Sequence, residues 1–155
     1  MAAPPYLTDD EYRFVYSRAP RLCLDLAVAD ADGLILSKRD IPPFQGLWHL
    51  PGGRVYYKES VAEAAARIAG AEAGITIALD GLVGHIEVLE DGEFVHSVSL
   101  VFFARHTGGT VRGSEQGREI KKWKELPEDT HPVQKDFLRR RWDEVVKHMR
   151  QTERA

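Results

Sequence analysis

What is scarce in this chain of 155 residues narrows its function before any motif is read. Cys23 is the sole cysteine, so no disulfide can form within the chain, and a reducing compartment is the simple reading. Basic charge is not in excess. Lys and Arg number 21 against 24 Asp and Glu, a formal net charge of −3, which removes any global electrostatic argument for nucleic-acid binding. The triplet Arg139, Arg140, Arg141 is the one basic cluster, and such clusters are usually solvated helix faces. No apolar run approaches the roughly 18–20 residues of a membrane-spanning helix. Residues 1–14 lack the basic-then-apolar order of a signal peptide. The expectation is a cytoplasmic protein that acts on neither nucleic acid nor membrane. Repeats, low-complexity tracts and composition breaks are also missing, so residues 1–155 read as one domain. A chain of this length buries roughly 68–70% of its unfolded surface, enough for a real core.

What is present is a mixture of strand and helix signals. Thr8 and Glu11 have capping-box spacing, in which each side chain can satisfy the other's backbone N–H, so a short helix is expected from Thr8 to Ser17. Leu22–Ala29 reads as a strand, Asp30–Gly33 as a turn and the segment after it as the returning strand. Ser60 and Glu63 form a second capping box, opening a helix that should end with Gly74 at its C′ position. Gly81–Glu90 and Val95–His106 read as a long hairpin turning at Glu90–Glu93, and Gly108–Gly109 as a further turn. The segment from Val111 to Trp123 reads as a loop. A last helix is expected from about Pro132, with Leu138, Trp142, Val145 and Met149 on one stripe. Strands before, between and after helices suggest an α/β or α+β sandwich.

The informative stretch is Leu50–Ile75, LPGGRVYYKESVAEAAARIAGAEAGI. Glycines let a backbone approach a ligand closely and leave its carbonyls accessible. A loop carbonyl beside a helix carboxylate makes a hard oxygen site, and Mg²⁺ commonly completes such a site with water and substrate phosphates. Gly53, Glu59, Arg67, Glu72, Gly74 and Ile75 stand at the spacing of the Nudix box, and the stretch resembles the Nudix hydrolases. The resemblance implies an α/β/α sandwich with a mixed β-sheet, and hydrolysis of a nucleoside diphosphate linked to another group.

Two departures sharpen it. Where the family places glutamates after Arg67 and three residues further on, this chain has Ile68 and Ala71, and Glu72 alone remains. On a regular helix positions 68, 71 and 72 share one face, so that face should offer one carboxylate instead of a cluster. One Nudix branch, GDP-mannose mannosyl hydrolase, shares this loss. Arg18–Val28, Gly33–Arg39, Gln45–Val55 and Glu115–Gln116 are similar to its pattern. That branch directs water at the anomeric carbon of the sugar and releases the nucleoside diphosphate. Its metal need only stabilise charge on the leaving group, which one ion can do.

Carried over residue by residue, the resemblance implies one Mg²⁺, or Mn²⁺ in its place, on Glu72 and the Gly52 carbonyl, with Gln116 completing the site and Glu115 as a competing ligand. Arg39 and Arg54 would hold the diphosphate, Arg39 also neutralising leaving-group charge, because guanidinium forks match phosphate oxygens. Asp25 would face the sugar and stabilise positive charge at the anomeric carbon; alternation along its strand sets it opposite Leu24 and Leu26. Glu59 and Arg67 resemble a pair tying loop to helix. The family's general-base histidine falls at Gly117. Glu119, His85 and His96 are the substitutes within reach of the sequence. A small-molecule nucleotide sugar is the expected partner, GDP-hexoses first, and a homodimer is implied by the branch. Attack at phosphorus, and a non-catalytic nucleotide-sugar binding module, are the alternatives.

Overall fold

The computed structural model describes residues 7–89 and 96–152. The turn expected at Glu90–Glu93 lies outside the described residues. Helix α1 spans Asp9–Tyr16 and is capped as its sequence predicts, with Glu11 N–H donating to the Thr8 hydroxyl and Thr8 N–H to the Glu11 carboxylate. Among the described residues seven strands follow in one sheet: β1 (Arg21–Asp30), β2 (Gly33–Lys38), β3 (Trp48–His49), β4 (Gly52–Arg54), β5 (Ile75–Val88), β6 (Ser97–Gly109) and β7 (Glu119–Trp123). Helix α2 (Val61–Ile68) separates β4 from β5, and α3 (Pro132–Arg140) and α4 (Trp142–Thr152) close the described chain. The sheet is mixed: β1 runs parallel to β6, and every other pairing is antiparallel.

The two faces of β1 build two cores, because side chains alternate across a strand. Leu24, Leu26 and Val28 pack beneath α2 with Ala64, Ala65 and Ile68. Ala27 and Ala29 join Leu138, Val145 and Met149 of α3 and α4, together with Trp48 and Leu50. The sheet therefore lies between α2 and the C-terminal pair, an α+β sandwich with helices on both faces. Helix α4 is pinned through buried His148, whose Nε2 lies 3.2 Å from the Ala104 carbonyl and 3.4 Å from Asp80, while its ring stacks on Phe103.

Four expectations need correction. The segment after Val111 is not all loop: residues 119–123 form β7, paired along its whole length with Leu34–Lys38 of β2. Its side chains, EIKKW, carry little alternation to reveal a strand, and pairing with β2 supplies the stabilisation that pattern does not. Gly108 and Gly109 do not turn the chain but continue β6, opposite Thr76 and Ile75. Strand β5 begins at Ile75, and Gly81 lies at a bulge inside it instead of at its start. The final helix is two helices, broken at Arg141.

Candidate functional site

Helix α2 does not continue as a regular helix to Gly74. From Ala69 to Ala73 it widens into a π-helical turn, and Gly74 then closes it in the left-handed region. A π turn inserts an extra residue and re-aims the side chains after it. The three positions expected on one face therefore diverge. Ile68 is 1% exposed in the core, Ala71 faces solvent, and Glu72 is half-buried. Ile68 packs under the glycine turn, so that a Cβ on Gly53 would stand 3.3 Å from its Cγ1. The face that could have carried a carboxylate cluster is an apolar floor. Among the described residues no group of three or more His, Cys, Asp or Glu side chains is gathered to hold a metal.

Glu72 has two polar neighbours. The Ser114 hydroxyl donates to it at 3.5 Å, and Arg39 is close enough to act on its charge. Burial raises its pKa, opposed by Ser114 and Arg39. Arg39 is itself held by the loop after β2, its Nε donating to the Ile41 carbonyl at 3.0 Å and its Nη2 to Pro42 at 3.4 Å. Burial lowers its pKa and the Glu72 charge raises it.

Strand β4 lies against β1, with Gly52 opposite Asp25. A Cβ on Gly52 would meet Asp25 Oδ1 at 2.2 Å and the Leu24 carbonyl oxygen at 2.8 Å, so this position admits only glycine. Asp25 is 9% exposed. Its Oδ2 accepts a 2.6 Å hydrogen bond from the Ser99 hydroxyl. Burial raises its pKa to about 6, the Ser99 bond working the other way. A buried carboxyl with a raised pKa lining a cavity marks a candidate functional group.

That cavity, of about 390 Å³, is lined by Asp25, Arg39, His49, Gly52 and Gly53, with Phe44, Leu50, Ser99, His131 and Gln134 around them. Asp25, Arg39 and Gly52 thus share one cavity, and Glu72 is not among its lining residues. Arg54 is not among the lining residues. Its Nη1 donates to the Tyr16 hydroxyl at 3.1 Å, and its guanidinium lies over the rings of Tyr12, Tyr16 and Tyr56. Gln116 and Glu115 are exposed on the loop before β7, Gln116 touching the site's surroundings through its carbonyl, which accepts from Asp40 N–H at 2.8 Å. Glu59 and Arg67 form a two-bond ion pair at 2.7 and 2.9 Å, and Arg67 also donates to the Arg54 carbonyl, so the pair does tie loop to helix.

Gly117 is buried and packed: a Cβ there would fall 2.2 Å from the Ser37 hydroxyl oxygen. This position has no room for a histidine with the loop where it is. Glu119 pairs with Lys121 on β7, and His85 pairs with Glu87 on an exposed part of β5. Neither they nor exposed His96 line the cavity.

Sequence reasoning missed His49, His131 and Ser99. His49 had a signal: it alternates with the apolar Trp48 and Leu50. Ser99 comes to Asp25 only through the parallel pairing of β1 with β6, and His131 only through the bonds that join residues 129–131 to Trp48.

Against known proteins, residues 20–147 match the NUDIX domain model. The chain is 25% identical to the low-salt glycan biosynthesis protein Agl8 of Haloferax volcanii, over 85% of this chain and 88% of that protein. It is 27% identical to the ADP-ribose pyrophosphatase of Methanocaldococcus jannaschii, over 77% of this chain and 74% of that one. A NUDIX hydrolase from Nitrosomonas europaea superposes with a TM-score of 0.70 at 22% identity, over 82% of this chain and 72% of the other.

Proposed function

The chain belongs to the Nudix family, and from that premise we propose that it is a Mg²⁺-dependent hydrolase of nucleoside-diphosphate sugars, directing water at the anomeric carbon of a GDP-hexose. The observation that carries this reading is the apolar floor made by Ile68 beneath Gly53. Attack at phosphorus in this family's manner draws on a carboxylate cluster, and here core packing occupies that face. Glycosyl attack asks less of the metal.

The donors fit a single hard cation shared with the substrate better than a resident multi-metal cage. Glu72 and the Gly52 carbonyl would hold it, with Gln116 as the loop ligand once the loop closes on substrate. Bound there, Mg²⁺ supplies Lewis-acid stabilisation of the departing diphosphate. Arg39 adds fixed positive charge at the same end, and Arg54 would join it on leaving its tyrosines. Asp25, when ionised, stabilises positive charge at the sugar carbon in a site from which water is partly excluded, where such electrostatics act most strongly. The likeness to a glycan biosynthesis protein is in keeping with a sugar nucleotide. Residues 1–155 are proposed to act as one Nudix domain, and a homodimer remains part of the proposal.

A second reading has its own support. The likeness to an ADP-ribose pyrophosphatase favours attack at phosphorus. Turnover of nucleotide sugars in ¹⁸O-water with Mg²⁺ separates the two. Label is expected in the free sugar; label in a phosphate overturns the mechanism and leaves the family assignment intact. Ligand binding without turnover would make the protein a binding module.

A further inference from the structure

His49 stands on firmly held backbone at the cavity. Trp48 N–H donates to the Asp129 carbonyl at 2.9 Å, and His131 N–H donates to the Trp48 carbonyl at 2.8 Å. Leu50 N–H donates to Gln134 Oε1 at 2.7 Å. Trp48 is 3% and Leu50 1% exposed, both in the core, so alternation turns His49 the other way, onto the cavity wall beside Arg39 and His131. Its Nδ1 is enclosed and has no hydrogen-bond partner among the described residues. An enclosed nitrogen without an acceptor is better left as a bare lone pair, because an orphaned buried N–H is among the rarest features of folded proteins. The tautomer that avoids it carries its proton on Nε2. The ring also stays neutral. Burial, then the charges of Arg39 and His131, bring its pKa down to about 4.

We propose that His49 is a substrate-binding residue that presents a neutral Nε2–H donor to an oxygen of the bound nucleotide sugar. Such a substrate offers the cavity mainly acceptor oxygens, on its diphosphate and on its sugar. A neutral donor can bond one without adding a second full charge beside Arg39. The inference rests on the reading above for the class of ligand, but His49's own state does not depend on it.

Two measurements test it. ¹⁵N-resolved NMR of the imidazoles, with His49 identified by its loss in His49→Gln, should show a neutral ring protonated on Nε2 at about pH 7. A charged ring, or one protonated on Nδ1, overturns the proposal. Calorimetric titration in EDTA, where the Mg²⁺-dependent reaction does not consume the ligand, with GDP-mannose, GDP or ADP-ribose then compares the parent with His49→Leu and His49→Gln. Loss of one hydrogen bond should weaken binding roughly tenfold in His49→Leu. His49→Gln, which keeps an N–H near the same place, should recover most of it. Equal weakening of GDP and GDP-mannose assigns the contact to the diphosphate; weakening of GDP-mannose alone assigns it to the sugar. If only ADP-ribose binds and His49→Leu weakens it, the sugar-nucleotide reading fails and the role of His49 stands. Parent-like binding of every ligand by a His49→Leu protein that melts as the parent does overturns it.

Discussion

At the scale of single residues, two close approaches shape the cavity and its flank, at Gly52 against Asp25 and at Gly117 against Ser37. Asp25 is burdened by burial, and its pKa of about 6 stands above its ordinary 3.8. A carboxyl whose folded pKa is raised adds stability below its unfolded value and loses it as pH rises through the folded one. Each unit is worth about 1.4 kcal/mol, so Asp25 should weaken the metal-free fold by ~3 kcal/mol between about pH 4 and about pH 7. Denaturant unfolding in EDTA should show that loss in the parent and not in Asp25→Asn. The same variant should lose at least about 100-fold in turnover, since it can no longer carry negative charge at the sugar. Gly117 makes the second approach. Gly117→Ala would press a methyl against the Ser37 hydroxyl and should lower stability by ~1–3 kcal/mol. Adding Ser37→Ala should recover most of it, read by thermal unfolding. Gly52 and Gly117 are both plain in the sequence, but the atoms that forbid a side chain at each come from strands distant in the chain.

At the scale of elements, α2 shows best how far local pattern reaches. Its start is written in Ser60 and Glu63, and the box forms as spaced, with Ser60 N–H on the Glu63 carboxylate at 2.8 Å. Its end is written in Gly74. What lies between is not, because the residues AGAEA suit a regular helix and a π turn alike. The widened turn is fixed by what it packs against: Ile68, Ala69 and Ala73 in the core, and Arg112 N–H on the Ala73 carbonyl at 3.0 Å. Restoring the family's glutamate here should therefore not restore a metal cluster. Ile68→Glu buries a carboxylate beneath Gly53 and should lower stability on the order of 4 kcal/mol. Mg²⁺ should not return that stability. Rescue of the melting temperature by Mg²⁺ would show that the face can still be a metal site. Ile68→Val, by contrast, should change stability by only about 0.5–1.5 kcal/mol.

At the scale of the whole molecule, the cavity lies on the face of the sheet that α3 and α4 cover, where Leu50, Ile86 and Val88 of that core line it. Helices α3 and α4 cover the face that carries Ala27 and Ala29, and Asp25 lies on that same face two residues earlier. Removing residues 142–155 takes Val145, His148 and Met149 out of that core. The shortened chain should lose cooperative unfolding and near-ultraviolet dichroism, as expected when one face of a sheet is left partly uncovered. A cooperative melt in the shortened chain would mean that the α2 core holds the sheet by itself. Legible in the sequence were the class of fold, the glycine turn, both capped helix starts and the Glu59–Arg67 tie. Each of these rests on local chemistry or on fixed spacing within one motif. Only the tertiary structure decided that residues 119–123 form a strand, that Ile68 becomes the floor of the turn, that no histidine fits at Gly117, and that His49, His131 and Ser99 reach the cavity. Those facts depend on pairings and packing between segments far apart in the chain, and such contacts leave no periodicity in either partner alone.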